Sequence, residues 1–396
     1  MAPGLVVLVL ALLLGIQPVT TDLYLPALPS LTAGFGAPVA QAQLTLTCLL
    51  LAFGCSQLVW GPLSDRFGRR PILLCGLGAY TLASAGCVLA PSMAQLIVWR
   101  TLQGAAMGAA VMGARAIVRD LYTPELGARM MSKGLTGLGV IACLSAPLGG
   151  LLADQLGWRY ALSALACFGA ATLVLVALRF EETAPATKPN ALRPAVLAAT
   201  WWAILRNPTF LTWSALSTAS YAGLFTFLAS SSFVFIQVLG LTRTQYGLVM
   251  FSMAFIYILG TFACRRLLPR FGVRRTVAIA GAVSLTAGTL LGGLALAGVH
   301  STWAILLPFC LFMLAHGVHQ PCSQSGAVGP FPHAAGAASA LNGFLAMLVA
   351  FAVGGWIGWR LDGTVFPLSN GIWLWSACIA ALSWTLVQRH GEPRIG

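Results

Sequence analysis

Asp22 is the residue on which any proton chemistry in this chain would turn. The chain has nine acidic residues. Asp65, Asp120, Glu125, Glu181, Glu182 and Glu392 fall at the ends or connections of apolar segments on one side, and Asp154 and Asp362 at segment ends on the other. Asp22 alone falls within such a segment, late in Thr20-Thr21-Asp22-Leu23-Tyr24-Leu25-Pro26. An ionised carboxylate in hydrocarbon costs several kcal/mol, so it must be paired, protonated or facing a wet cavity. The matching cation is Arg100, in Arg100-Thr101-Leu102-Gln103-Gly104. On helices rising ~1.5 Å per residue, Asp22 lies about 9 Å below Leu28 and Arg100 about 12 Å below Ser92, a similar depth. Such a pair is either a static lock between the first and fourth segments or a carboxylate whose proton affinity is set by Arg100, burial and substrate. The second reading is favoured, because a purely structural buried ion pair gains little over apolar packing.

The segments that carry these charges are membrane helices. Hydrophobic residues make up 58% of the 396 and charged residues only 8%, and the mean hydropathy is +0.86, too little charge for a water-exposed surface. The apolar runs are continuous rather than alternating, so they read as helices and not as barrel strands. Spans of ~20 residues are expected near 4–28, 41–61, 72–90, 93–116, 131–152, 158–178, 208–238, 244–264, 276–298, 302–324, 336–358 and 370–388. The polar stretch 179–206 divides them six and six. The expected fold is an all-α integral membrane protein of twelve transmembrane helices in two pseudo-symmetric six-helix bundles around a central cavity, with residues 1–178 and 207–396 as the bundles and 179–206 as a cytoplasmic linker.

The net charge of +13 follows the same topology. Eighteen of the 22 basic residues fall at 62–70, 115–133, 179–206, 265–275 and the tail. That asymmetry is the positive-inside pattern, placing both termini in the cytoplasm, and it makes the lipid bilayer rather than nucleic acid the partner of this basic chain. The ten cysteines fall within expected helices with no C-x-x-C pair and read as reduced core residues.

Residues 61–71, Gly-Pro-Leu-Ser-Asp-Arg-Phe-Gly-Arg-Arg-Pro, place Asp65, Arg66, Arg69 and Arg70 around Gly68 at a water-side hinge. A degraded copy recurs 204 residues on, where Arg270-Phe271-Gly272 aligns with Arg66-Phe67-Gly68 and Pro269 replaces the acid. Gly149 and Gly150 recur as Gly354 and Gly355. Two markers at nearly one offset argue for a duplicated half. Gly137, Gly139, Ala142, Ala146, Gly149 and Gly150, interrupted by Pro147, form a small-residue face suited to close helix contact.

The G-x-x-x-D-R-x-G-R-R loop resembles the loop 2–3 signature of the major facilitator superfamily. The Thr20–Leu31 segment, Trp60–Leu74, Arg100–Gly104 with Ile117–Tyr122, Phe331–Ser339 and Tyr221–Leu228 together look like the Bcr/CflA family of drug:proton antiporters. The resemblance implies a bacterial inner-membrane protein that exports small amphiphilic compounds, antibiotics among them, in exchange for protons by alternating access. It implies that Asp22, Arg100 and Gln103 couple the proton, that Asp65, Arg66, Gly68, Arg69 and Arg70 form a cytoplasmic gate tying the two halves together, and that the helix with Gly139, Pro147, Gly149 and Gly150 carries the antiporter motif, with Ala146-Pro147 in place of the usual Gly-Pro. An additional acid found earlier in span one of some relatives is absent here, where Leu12-Leu13-Leu14 stands.

Other function classes lack their residues. Lys133 and Lys188 are the two lysines, and neither sits in a G-x-x-x-x-G-K-[ST] loop, so no nucleotide motor is expected and the proton gradient is the energy source, without a cofactor. No H-E-x-x-H or convincing catalytic pair appears, so the chain is expected not to be an enzyme, and charged gates in duplicated halves suit a transporter better than a channel. Candidate substrate contacts are Tyr24, Ser217, Tyr221, Phe225, Tyr257, His316, His319 and Asn342. His316 and His319 stand at i and i+3 without a completing cluster, so no metal site is expected, and a second proton site is the better reading. A monomer is expected. A proton-coupled importer or a metabolite exporter on the same fold is the alternative function.

Overall fold

The computed structural model describes residues 3–122, 124–184 and 194–391. Of the expected linker, 185–193 lie outside the described residues, as do Met1, Ala2 and 392–396 at the termini whose side of the membrane the charge pattern assigns. Among the described residues there are only helices and their connections, as the continuous apolar runs require. They run as α1 (Pro3–Asp22), α2 (Leu28–Phe35), α3 (Val39–Phe67), α4 (Arg69–Leu89), α5 (Met93–Leu121), α6 (Pro124–Gln155), α7 (Trp158–Arg179), α8 (Pro194–Leu205), α9 (Pro208–Phe233), α10 (Arg243–Leu296), α11 (Thr302–Val328), α12 (Ala335–Arg360), α13 (Phe366–Trp384) and α14 (Leu386–His390).

Ten helical segments are long and apolar enough to cross a membrane. One of them, α10, has 54 residues and a length of ~81 Å at 1.5 Å per residue, far more than a bilayer core of ~30 Å. It bends at Gly272, where φ is 69° and ψ 173°, and so makes two crossings. The twelfth is α5, whose hydropathy is lowered by Gln95, Arg100 and Gln103. Gly68, the counterpart of Gly272 in the duplicated signature, has φ of 96° and separates α3 from α4 in the same way. A residue with a Cβ is strained in that region, which explains a glycine at this point in both copies.

Side-chain caps mark several starts. Ser92 accepts from the Gln95 N–H, Asn207 from Phe210, and Ser301 from Ala304, each satisfying a backbone donor that the helix leaves open. The expected boundaries shift in the middle of the first half. α5 runs five residues beyond the expected end and α6 begins seven before its expected start, because Arg115, Arg119, Asp120 and Lys133 sit on helical turns that leave the hydrocarbon rather than in a loop. Within the expected linker, residues 194–205 form α8, an apolar helix too short to span.

The chain divides into two units, 1–198 with 242–251 and 199–241 with 252–396. In the first, α5 packs on α3, α4 and α1, and α1 packs along α6. In the second, α9 packs on α11, α12 and α13. Leu82, Leu89, Leu178 and Trp359 are largely exposed, the surface expected of helices whose solvent is lipid.

Candidate functional site

The first unit holds a buried arginine in a cage of neutral oxygens. Arg100 is fully buried. It donates from Nη2 to the Thr20 carbonyl (3.1 Å), from Nε to the Thr45 carbonyl (3.4 Å) and from Nη1 to Gln103 Oε1 (2.6 Å), and its guanidinium lies 4.2 Å from the centre of the Tyr24 ring. Gln103 then donates to Ser84 Oγ at 2.6 Å. Around this core, Tyr24 OH donates to Thr45 Oγ1 and Tyr80 OH to Thr20 Oγ1, both at 2.6 Å, since each threonine hydroxyl already donates to a carbonyl of its own helix. A buried cation without a carboxylate is tolerable only with such a set of acceptors and a ring face.

The expected contact between Asp22 and Arg100 is not made. Asp22 is the last residue of α1, half-buried, and its carboxylate accepts from the Thr21 hydroxyl at 2.8 Å. The physical reason is the helix break. α1 stops at Asp22 ahead of a short 3-10 turn, Leu25–Ala27, containing Pro26, so the Thr20 carbonyl is free to accept from Arg100. Arg100 thus holds the backbone two residues before Asp22 and leaves the carboxylate with one hydroxyl donor.

The small-residue face of α6 lies against this break. Ala11 packs on Gly137, Ile141 on Gly15, and Gly149 against the Leu23 carbonyl one residue beyond Asp22. Gly150 touches the Arg243 carbonyl, where Asp154 also accepts from the Thr244 backbone N–H (2.8 Å) and hydroxyl (2.6 Å) and from Arg243 (3.2 Å). Pro147 lies within the helix and Gly139 is half-buried on it.

The loop at 61–71 forms a dense ionic network within the first unit. Asp65 pairs with neighbouring arginines. Its partners are Arg69 (2.7 Å) and Arg119 (3.5 Å), both in the first unit, because Gly68 turns α4 back so that Arg69 stands one turn from Asp65. Arg69, with 5% of its side chain exposed, also binds Asp120 (2.7 Å) and Ser64 Oγ (3.0 Å). Glu182 accepts from the backbone N–H groups of Arg69 (2.8 Å) and Arg70 (3.0 Å), at the start of α4, where a helix favours an anion. Burial raises the Glu182 pKa, but the N–H donors of Ala184, Arg69, Arg70 and Thr183 outweigh it and hold the carboxyl below its ordinary value. Arg70 reaches the Ala177 carbonyl and Arg66 lies over the Phe67 ring. Sequence reasoning missed Asp120, Arg119 and Glu182 as members. Arg119 and Asp120 lie in the last turn of α5 and Glu182 lies just after α7, far from the loop in sequence.

In the second unit the polar candidates lie on α9, α10, α11 and α12. His316 Nδ1 is 2.8 Å from Ser220 Oγ, with the Tyr257 ring centre 5.6 Å away. His319 Nε2 is 3.3 Å from Ser284 Oγ, and its Nδ1 is buried without a hydrogen-bond partner. Ser217 donates to Gln320 Oε1 at 3.2 Å. Phe225 is fully buried, Tyr221 nearly so, and Asn342 is buried with Oδ1 unpartnered. Tyr24 is part of the Arg100 cage in the first unit.

Two six-helix units with charged residues buried in membrane helices define a multi-pass membrane transporter. A profile of the Major Facilitator Superfamily matches residues 10–387, and the chain belongs to that family. It is 30% identical over 340 residues to Multidrug resistance protein D of Escherichia coli strain K12, covering 85% of this chain and 84% of that protein. It is 30% identical over 397 residues to the uncharacterized MFS-type transporter YdgK of Bacillus subtilis strain 168, covering 95% and 94%. Among solved structures, the xylose transporter XylE from E. coli in a partially occluded inward open conformation aligns with a TM-score of 0.75 at 14% identity, covering 98% of this chain and 97% of that one.

Proposed function

We propose that this transporter exports small amphiphilic compounds in exchange for protons, as the Bcr/CflA resemblance implies and as the name of Multidrug resistance protein D suggests for that relative. The observation that carries the reading is Asp22, a half-buried carboxylate at a membrane helix break with one hydroxyl donor and, among the described residues, no cation in ion-pair contact. Such a group changes protonation at modest cost when its surroundings change. Arg100 and Gln103 act as positioning residues, fixing the Thr20 carbonyl and hence the break. Asp65, Arg66, Gly68, Arg69 and Arg70 hold the cytoplasmic ends of α3, α4 and α5 as one piece of the gate, and the Gly139, Pro147, Gly149 and Gly150 face sets how closely α6 approaches Asp22. The second unit supplies Ser217, Tyr221, Phe225, Tyr257, His316, His319 and Asn342 as substrate contacts. The protein acts as a monomer in a bacterial inner membrane, with 1–178 and 207–396 as its halves, both termini cytoplasmic and the proton gradient as its energy source.

Uptake into inverted membrane vesicles against a panel of amphiphilic compounds tests this reading. An acid-inside gradient should drive accumulation of at least some compounds, and dissipating it should stop that. Accumulation that ignores the gradient for every transported compound would overturn the proton coupling.

A further inference from the structure

The two copies of the charged hinge share a backbone turn but differ in what neutralises them. In the first copy, Arg69 is consumed by Asp65 and Asp120, and the Glu182 carboxylate fills the space beside Gly68 so closely that a Cβ there would meet it at 2.6 Å. In the second, Pro269 stands at the position of Asp65 and Val273 at that of Arg69, and the space beside Gly272 is open. Arg265, Arg266, Arg270 and Arg275 are exposed, and among the described residues none has a carboxylate within ion-pair distance. The described acid of the second unit, Asp362, lies between α12 and α13 and is occupied by Thr364. Four exposed guanidiniums thus crowd into eleven residues with no carboxylate among the described residues within ion-pair distance of them.

We propose that this hinge is a binding site for the headgroup of an anionic phospholipid, whose phosphate stands in for the carboxylates of the first copy. Depth and composition both favour a lipid over a soluble anion. The first crossing of α10, from Arg243 to Gly272, spans ~43 Å at 1.5 Å per residue, which brings its last turns to the headgroup level of a bilayer ~40–45 Å thick overall. Phe271 and Val273 are exposed between the arginines and Phe262 just before them, and Arg265 lies 5.5 Å from the Phe262 ring centre. That mixture of apolar side chains and guanidiniums suits the boundary where acyl chains meet phosphates. Guanidinium also offers phosphate a fork of two parallel donors.

The test is lipid binding by the purified full-length protein, read by native mass spectrometry with phosphatidylglycerol, phosphatidylcholine and inorganic phosphate as separate probes. The wild type should prefer phosphatidylglycerol to phosphatidylcholine, and inorganic phosphate should not displace it. Replacing Arg265, Arg266, Arg270 and Arg275 together by Gln should reduce that preference by about tenfold or more. If the fourfold variant does not purify as a folded monodisperse protein, the paired variants Arg265→Gln with Arg266→Gln and Arg270→Gln with Arg275→Gln should each lose part of the preference. An unchanged preference in the variants would overturn the proposal, and so would displacement by inorganic phosphate at concentrations comparable to the lipid.

Discussion

At the scale of single residues, the chemistry separates into a carboxylate left nearly alone and an arginine with many partners. Asp22 keeps one hydroxyl donor, whereas Arg100 has two carbonyls, an amide oxygen and a ring face. A direct ion pair would hold the carboxylate ionised and tie proton release to breaking it. In the proposed coupling, the carboxylate exchanges the proton while the arginine keeps the backbone in place. Arg100→Ala should therefore leave buried acceptors at Thr20, Thr45 and Gln103 unsatisfied, lowering stability by about 2–4 kcal/mol and slowing transport. Arg100→Lys should recover only part of both, since an ammonium cannot span three acceptors and the ring. Thermal unfolding in detergent, alongside transport rates, checks this. Wild-type stability in Arg100→Ala would show the cage to be idle.

At the scale of helices, two glycines stand in opposite surroundings. Gly149 abuts the Leu23 carbonyl, while the corresponding space at Gly78 of α4 is empty. Gly149→Ala should push α6 off the break beside Asp22, costing about 1–3 kcal/mol and slowing transport. Gly78→Ala, which adds helix propensity without a clash, should be neutral or stabilise by up to ~1 kcal/mol. Equal melting temperatures for the two variants would remove α6 from the account.

Glu182 provides a pH test at the same scale. Its folded pKa lies below the ordinary 4.5 because four backbone donors outweigh the effect of burial. The stability it contributes is therefore fully present above the unfolded value and is lost as pH falls through the lower folded value. Glu182→Gln should lower the melting temperature by a constant amount between pH 6 and 8, as is expected of a tie that stays ionised across that range. The difference from wild type should shrink only below about pH 4.5. A difference that vanished already at neutral pH would mean the carboxylate does not hold the start of α4.

At the scale of the whole molecule, the charge distribution and apolar periodicity made the membrane class, the helix number and the duplicated hinge legible before any coordinates. Gly68 and Gly272 were visible as counterparts because a positive-φ turn admits few other residues. Depth alone identified Asp22 and Arg100 as the charges to explain. Their lack of contact was not legible, because it depends on α1 ending at Asp22 and freeing the Thr20 carbonyl, and the proline four residues downstream signals a break without saying which carbonyl it releases. Glu182 was equally hidden. Its role comes from the chain folding back after α7 onto a loop more than a hundred residues earlier, and no local spacing encodes that return. Charged residues at helix ends were assigned to loops, since composition does not distinguish a polar helical turn outside the bilayer from a connection.

The central claim is that Asp22 carries the coupled proton, and its most direct test compares two modes of transport by Asp22→Asn in proteoliposomes, using a compound that the vesicle panel has shown to be transported. Counterflow, which exchanges labelled for unlabelled compound without a proton gradient, should persist, because asparagine preserves the shape of the site. Accumulation driven by an imposed pH gradient should be abolished. Gradient-driven accumulation at the wild-type rate in Asp22→Asn would contradict the account.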